Sequence, residues 1–300
     1  MNNHILDFCE KKGIEIVCDA DISAITSIKC GAKARFLAEP DTRSKLVDLV
    51  SFLRHKEIDY RVVGGMTNTL PPSGDFEGVL IRTRRIGRLS FTENNRVYAE
   101  AGASLSETAR RASMRGIGGF AELVGIPGTI GGAIFGNAGA HGRAMSDIVL
   151  SAIVYDPENN NIQAISGGDL NFGYRDSVFR RVPRYLILEA ELCGETADKE
   201  MLVSQMREYT EIRRIRQPIS MPSLGSIFKH PTGDFAPRII DELGLKGLSV
   251  GGAVVSEKHA GFIVNSGSAT PEDIKKLIKI IKDEVFRARG ILLEEEINVM

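Results

Sequence analysis

The strongest constraint in the chain is a glycine-rich stretch, ELVGIPGTIGGAIFGNAGAHG at residues 122–142, inside a zone with ten glycines between Gly116 and Gly142. From Leu123 to Gly142 there is no Lys, Arg, Asp or Glu, and His141 is the only ionisable side chain. Glycines at this spacing let backbone N–H groups turn inward at φ values that other residues resist, which makes an anion nest without a cationic side chain. Such a loop suits a pyrophosphate. Taken alone, a glycine cluster is also compatible with plain tight turns in a β domain.

With 300 residues the chain exceeds the size at which single cores usually divide, so two or three subdomains are expected. The net charge of −1 calls for neither nucleic acid nor an anionic membrane, so an anionic ligand must be held by local groups. Cys9, Cys18, Cys30 and Cys193 lack metal-ligand spacing, and no metal site is expected. The first residues, MNNHILDFCEKKG, do not have the basic-then-apolar pattern of a signal peptide. No apolar run approaches the roughly 20 residues of a membrane span. The expectation is a cytoplasmic protein with free thiols, monomeric and without membrane insertion.

The G-x-G-x-x-G fingerprint and the P-loop are both absent, so a nicotinamide cofactor has no dinucleotide fold of its own here. Short strands and helices alternate without a regular βαβ repeat, which predicts an α+β class. Residues 26–40 read as strands, followed by a helix capped from Asp41 or Thr42, with Leu46, Leu49, Val50 and Leu53 inward. The segment Tyr60-Arg61-Val62-Val63 reads as a strand running into Gly64-Gly65-Met66-Thr67-Asn68. Ser104 and Glu107 have capping-box spacing, and residues 198–216 form a helical pattern. Thr270-Pro271-Glu272-Asp273 starts a helix that Gly290 stops, and the tail ILLEEEINVM alternates as a strand. On that alternation Ile291, Leu293, Ile297 and Val299 share a face with Glu295, while Glu294 and Glu296 share the other with Leu292.

Gly125-Ile126-Pro127-Gly128-Thr129-Ile130-Gly131-Gly132-Ala133 and Asn137-Ala138-Gly139-Ala140 resemble the flavin-binding core of the UDP-N-acetylenolpyruvoylglucosamine reductase family, within the p-cresol-methylhydroxylase-type FAD domains. The likeness runs from about Thr26 to Glu296 and matches the shorter form of the family, without a tyrosine lid loop. It implies two α+β FAD subdomains, over residues 1–58 and 59–195, followed by a smaller α+β substrate domain over 196–300.

The resemblance also implies the site. FAD would be held by Gly64, Gly65, Met66, Thr67 and Asn68 in one loop, and by Gly125, Ile126, Pro127, Gly128, Thr129, Gly132, Ala133 and Asn137 in the other. Met66 stands where the family has glycine; if that position needs positive φ, methionine costs about 1–2 kcal/mol. The catalytic groups would be Arg175 in Gly173-Tyr174-Arg175-Asp176-Ser177, Ser226 in Gly225-Ser226-Ile227-Phe228-Lys229-His230, and Glu296 in the tail. Tyr174, Arg213, Arg216, Lys229, His230 and His259 would meet the substrate, with His230 replacing the family's asparagine. The implied reaction is NADPH-driven reduction of a UDP-sugar enolpyruvyl ether in peptidoglycan precursor synthesis, in ping-pong order. Another FAD oxidoreductase of the same domain class, or a paralogue that binds FAD or UDP-sugar with little activity, would share part of this pattern.

Overall fold

The computed structural model describes residues 2–300, and it divides into two compact units. The first comprises the described residues up to Asp19 together with Arg35–Gly65 and Glu77–Glu211. The second comprises Ala20–Ala34, Met66–Phe76 and Ile212–Met300.

In the first unit a four-stranded sheet runs in the spatial order Glu15–Asp21, Lys33–Glu39, Phe76–Arg82, Tyr60–Val63. Tyr60–Val63 pairs parallel with Phe76–Arg82, from Tyr60 opposite Val79 to Val63 opposite Arg82. The crossover helix Arg43–His55 forms as predicted: Thr42 accepts a hydrogen bond from the Lys45 amide, and Leu46, Leu49, Val50 and Leu53 are buried. They pack against Phe36, Val79 and Ile81. The predicted run of strands over 26–40 shrinks to Lys33–Glu39. Residues before it form a loop because their role is tertiary, with Ile28 and Cys30 inside the core of the second unit.

The same unit carries a five-stranded antiparallel sheet, ordered Asn161–Ser166, Val149–Asp156, Leu186–Cys193, Arg96–Glu100, Leu89–Phe91. Its register lines up Ala152, Ala190 and Ala99 across three strands. Small side chains keep that face low, and Ile130, Ala133 and Ile134 of the short helix Ile130–Phe135 pack into the same core. The capping box at Ser104 is half made. Ser104 accepts from the Glu107 amide at 3.3 Å, while the Glu107 carboxylate turns to Arg110 instead.

The second unit has an antiparallel sheet ordered Ser223–Ser226, Phe262–Asn265, Ala253–Val255, Ser249–Val250. Asn265, 4% exposed, uses both ends of its carboxamide: Nδ2 donates to the carbonyls of Ile28 and Lys29, and Oδ1 accepts from the amides of Gly267 and Ala269. That one side chain ties the early segment 20–34 to this sheet. The helix Pro271–Arg289 has the predicted Thr270 cap with its capping box, a left-handed Gly290, and a buried stripe of Ile274, Leu277, Ile278, Ile281 and Val285.

The tail corrects the sequence reading. Only Asn298–Val299 forms a strand, and Val299 is 51% exposed whereas Leu293 and Ile297, expected on the same face, are buried. The reason is a change of partner. Lys229 and Ile227 bond to Glu294 and Glu296, after which Asn298 and Met300 bond to Asn68 and Leu70, so no single ladder can run through the tail. Among the described residues no helix is long and apolar enough to cross a membrane.

Replacing Ile281 by Ala deletes fully buried methyl groups at the centre of the helix stripe. It is expected to lower unfolding free energy by about 2–5 kcal/mol, read as a shift of the denaturant midpoint at constant slope.

Candidate active site

In the first unit the glycine stretch is stitched to residues 101–105. Ile130 and Gly131 donate to the carbonyls of Ala103 and Ala101, both at 2.8 Å, and Leu105 donates to Gly128 at 3.1 Å. Thr129 sits at the centre, 3% exposed, and its hydroxyl accepts from the Gly132 amide. Ala133 donates to the Thr129 carbonyl, and the Gly125 amide is held by the Ser106 hydroxyl at 2.9 Å. This corrects the picture of a row of open amides: those of Gly125, Ile130, Gly131, Gly132 and Ala133 are satisfied within the unit.

Two glycines show why side chains are excluded. A Cβ at Gly64 would collide with the Thr129 hydroxyl, so the two expected phosphate loops meet at this contact. Gly128 has φ +118, a value L residues rarely adopt. The loop is therefore glycine-lined, free of carboxylates from Leu123 to Gly142, and folded around a buried hydroxyl, so an anion there would meet no negative side chain of this stretch. Ile126 and Gly128 are half-buried, and Pro127 is exposed.

The end of the cradle holds Arg175. Its guanidinium donates to the carbonyls of Gly139 at 2.9 Å and Asn137 at 3.4 Å, and lies 5.4 Å from the ring centroid of Tyr174, which is 53% exposed. Asn137, 6% exposed, donates from Nδ2 to the Gly173 carbonyl at 2.8 Å and accepts at Oδ1 from the Ser146 amide at 2.9 Å. Ser177, fully buried, donates to the Phe135 carbonyl at 2.8 Å. The sequence motifs include Gly139 and Ser177 without giving either a role, and Ser146 lies outside every motif.

The second unit gathers Ser226, Glu296 and Asn68. Ser226 ends its strand opposite Phe262 and follows Gly225 at φ +81. The Glu296 amide donates to the carbonyl of Ile227 at 2.7 Å, and the Asn68 side chain donates to the Glu296 carbonyl at 3.3 Å. The three tail glutamates separate by environment. Glu294 pairs with Lys229 at 3.2 Å and Glu295 with Lys282 at 2.8 Å, while Glu296 lies half-buried beside the Ser226 segment. Met66 is 3% exposed at φ +49, so the positive-φ position does carry a methionine. Its carbonyl accepts from the Ser27 amide at 3.2 Å, which fixes that backbone; Thr67, next to it, is half-buried.

The remaining expected substrate residues in this unit are the helix-end arginines Arg213 and Arg216 and the histidines His230 and His259. Burial pulls the Arg213 guanidinium below its ordinary value, and among the described residues no carboxylate pairs with it. Arg216 is exposed at the same helix end. His230 meets the edge of Phe235 at 5.2 Å. His259 accepts from the Gly261 amide at Nδ1, 3.2 Å away, and burial first, then the positive charge available on His230, hold its pKa below the usual histidine value.

The α+β fold, with its glycine-lined loop and anchored arginine, is of the flavin-binding oxidoreductase class, as comparison with known proteins shows. A model of an FAD binding domain matches residues 34–163, and one of the UDP-N-acetylenolpyruvoylglucosamine reductase C-terminal domain matches residues 217–300. A reductase of that description from Caldicellulosiruptor bescii is 39% identical over 97% of this chain and 92% of its own length. One from Caldanaerobacter subterraneus is 40% identical over 92% and 90% respectively. The crystal structure of the Thermus caldophilus reductase superposes with a TM-score of 0.79 at 30% identity, covering 95% of this chain and 98% of the other. The chain belongs to the UDP-N-acetylenolpyruvoylglucosamine reductase family.

Gly64→Ala would push Thr129 off its cap. It is expected to weaken FAD retention at least about tenfold, measured by flavin fluorescence on titrating the stripped protein. His259 gives a pH dependence. Because its folded pKa lies below the unfolded value of 6.5, the fold loses stability as pH falls below 6.5. Melting curves at pH 7.5 and 5.5 are expected to show a smaller acid-induced drop in His259→Gln than in the unsubstituted protein.

Proposed function

We propose that the chain reduces UDP-N-acetylglucosamine enolpyruvate to UDP-N-acetylmuramate in peptidoglycan precursor synthesis, in the cytoplasm and as a monomer. The observation that carries the reading is the anchoring of Arg175 on the carbonyls of the glycine cradle itself, in a family whose FAD-binding and reductase domains this chain matches. FAD supplies the hydride chemistry when bound, drawing on NADPH as reductant. With no separate nicotinamide fold, NADPH and the sugar nucleotide take turns in one cleft.

The chain's own residues bind, orient and move one proton. Addition at the enolpyruvyl methylene places negative charge on the carboxylate side, as an enolate. Arg175 offers a fixed fork of donors to that charge, and its carbonyl tethers hold the fork before substrate arrives. Glu296 assists from the half-buried tail, and does so when protonated or hydrogen-bonded. Ser226 delivers the proton: its O–H bond breaks as a C–H bond forms next to the carboxylate, and the hydroxyl is restored from water. Arg213, Arg216 and Lys229 supply the positive charge that a diphosphate needs and the nearly neutral protein lacks, with His230, His259 and Tyr174 at the sugar and uridine.

Gly64, Gly65, Met66, Thr67 and Asn68, with Gly125, Ile126, Pro127, Gly128, Thr129, Gly132, Ala133 and Asn137, form the FAD-binding surface, Asn137 by way of the arginine turn. Met66, held in the left-handed region, costs about 1–2 kcal/mol relative to glycine and is compensated in part by its burial.

Stopped-flow absorbance separates the half-reactions. Ser226→Ala is expected to slow reoxidation of the reduced flavin by the enolpyruvyl sugar by about 10²–10⁴-fold, with reduction by NADPH affected far less. Normal reoxidation in that variant would remove Ser226 from the acid role.

A further inference from the structure

The geometry points to Asn137 as the residue that positions Arg175, acting through the tight turn of residues 173–176 and not as a direct contact to the cofactor; this deepens the reaction proposed above and rests on it.

The turn is closed at both ends. Gly173 donates to the Asp176 carbonyl at 3.0 Å, and Asp176 donates back to Gly173 at 3.2 Å. Arg175 occupies the third position with φ +54, where such a turn favours glycine or asparagine. An arginine persists in that conformation only when its surroundings over-determine it.

Asn137 supplies part of that determination, beside the Arg180 guanidinium, which donates to the Arg175 carbonyl at 3.0 Å. Its Nδ2 donates to the Gly173 carbonyl, the same oxygen that closes the turn, and its own carbonyl accepts from the Arg175 guanidinium. Its Oδ1 is taken by the Ser146 amide. Both polar ends of the side chain are thus engaged with this unit, in a residue only 6% exposed. Asn137 itself has φ +43, a conformation asparagine tolerates better than most residues. The donor from Ser177 to Phe135 pins the far side of the same loop. Removing the carboxamide leaves the Gly173 carbonyl with one fewer donor and lets the fork drift, and a displacement near 1 Å is enough to slow a reaction about 100-fold.

The test compares Asn137→Ala, Arg175→Ala and the double variant. In flavin-free protein, hydrogen exchange at the Asp176 amide is expected to quicken at least about tenfold in Asn137→Ala, with the sheet cores unchanged. In the holoenzyme, reoxidation by the enolpyruvyl sugar is expected to fall about 100-fold, and at least about tenfold more than reduction by NADPH. Added to Arg175→Ala, the second substitution is expected to lower reoxidation by less than about threefold, because a positioning residue has nothing left to position.

An undiminished effect in the Arg175→Ala background would overturn the proposal. So would equal loss of both half-reactions together with FAD release, which marks a cofactor contact. If Arg175→Ala reoxidises normally, the proposed reaction fails at that residue, and hydrogen exchange alone decides the tether: unchanged exchange sinks it and faster exchange supports it. Asn137→Ser, which keeps a short polar group, carries the same comparisons should the alanine variant not fold.

Discussion

The docking of residues 128–131 onto residues 101–105 is the constraint on which the cofactor unit depends. A glycine-rich segment has little side-chain surface to bury and much backbone freedom to lose, so it needs main-chain partners to take one shape. Ala101, Ala103, Leu105 and the hydroxyls of Thr129 and Ser106 provide them. Once the loop is ordered, the short helix Ile130–Phe135 packs onto the alanine row of the five-stranded sheet, and its far end presents the carbonyls that receive Arg175 and Ser177. One neutral stretch of chain thus both docks onto the rest of its unit and seats the guanidinium of Arg175.

The second unit solves a different problem, which is to hold the largely irregular residues 291–300 in one path. Each stretch of the tail has a partner: residues 227–229 first, residues 68–70 afterwards. Leu293 and Ile297 bury on either side of Glu296, and Lys229 and Lys282 neutralise the two preceding glutamates. Two ion pairs at the surface add little stability individually. They give Glu294 and Glu295 different lysines, so the adjacent glutamates of the tail do not share one environment.

Asparagine recurs as the connector. Asn265 joins the segment 20–34 to the sheet of the second unit, Asn68 reaches the tail, and Asn137 joins the cradle to the arginine turn. A carboxamide donates and accepts at once, so a single neutral side chain can satisfy two backbone groups from distant segments without burying a charge.

The sequence alone determined the local elements with strong periodicity and chemistry: the helix behind Thr42, the capped helix from Thr270 to Gly290, the helix from Asp198, and the glycine stretch as a backbone-lined loop. Those depend on interactions within a few residues, which a linear pattern records. The family resemblance supplied the candidate residues, but three adjacent glutamates look alike in a string. Only the tertiary structure paired Glu294 and Glu295 with lysines, broke the expected tail strand at its change of partner, put Met66 at positive φ, and assigned residues 20–34 and 66–76 to the second unit. Those outcomes are set by hydrogen bonds and packing between residues from 13 to 228 positions apart, and no local pattern in the chain encodes them.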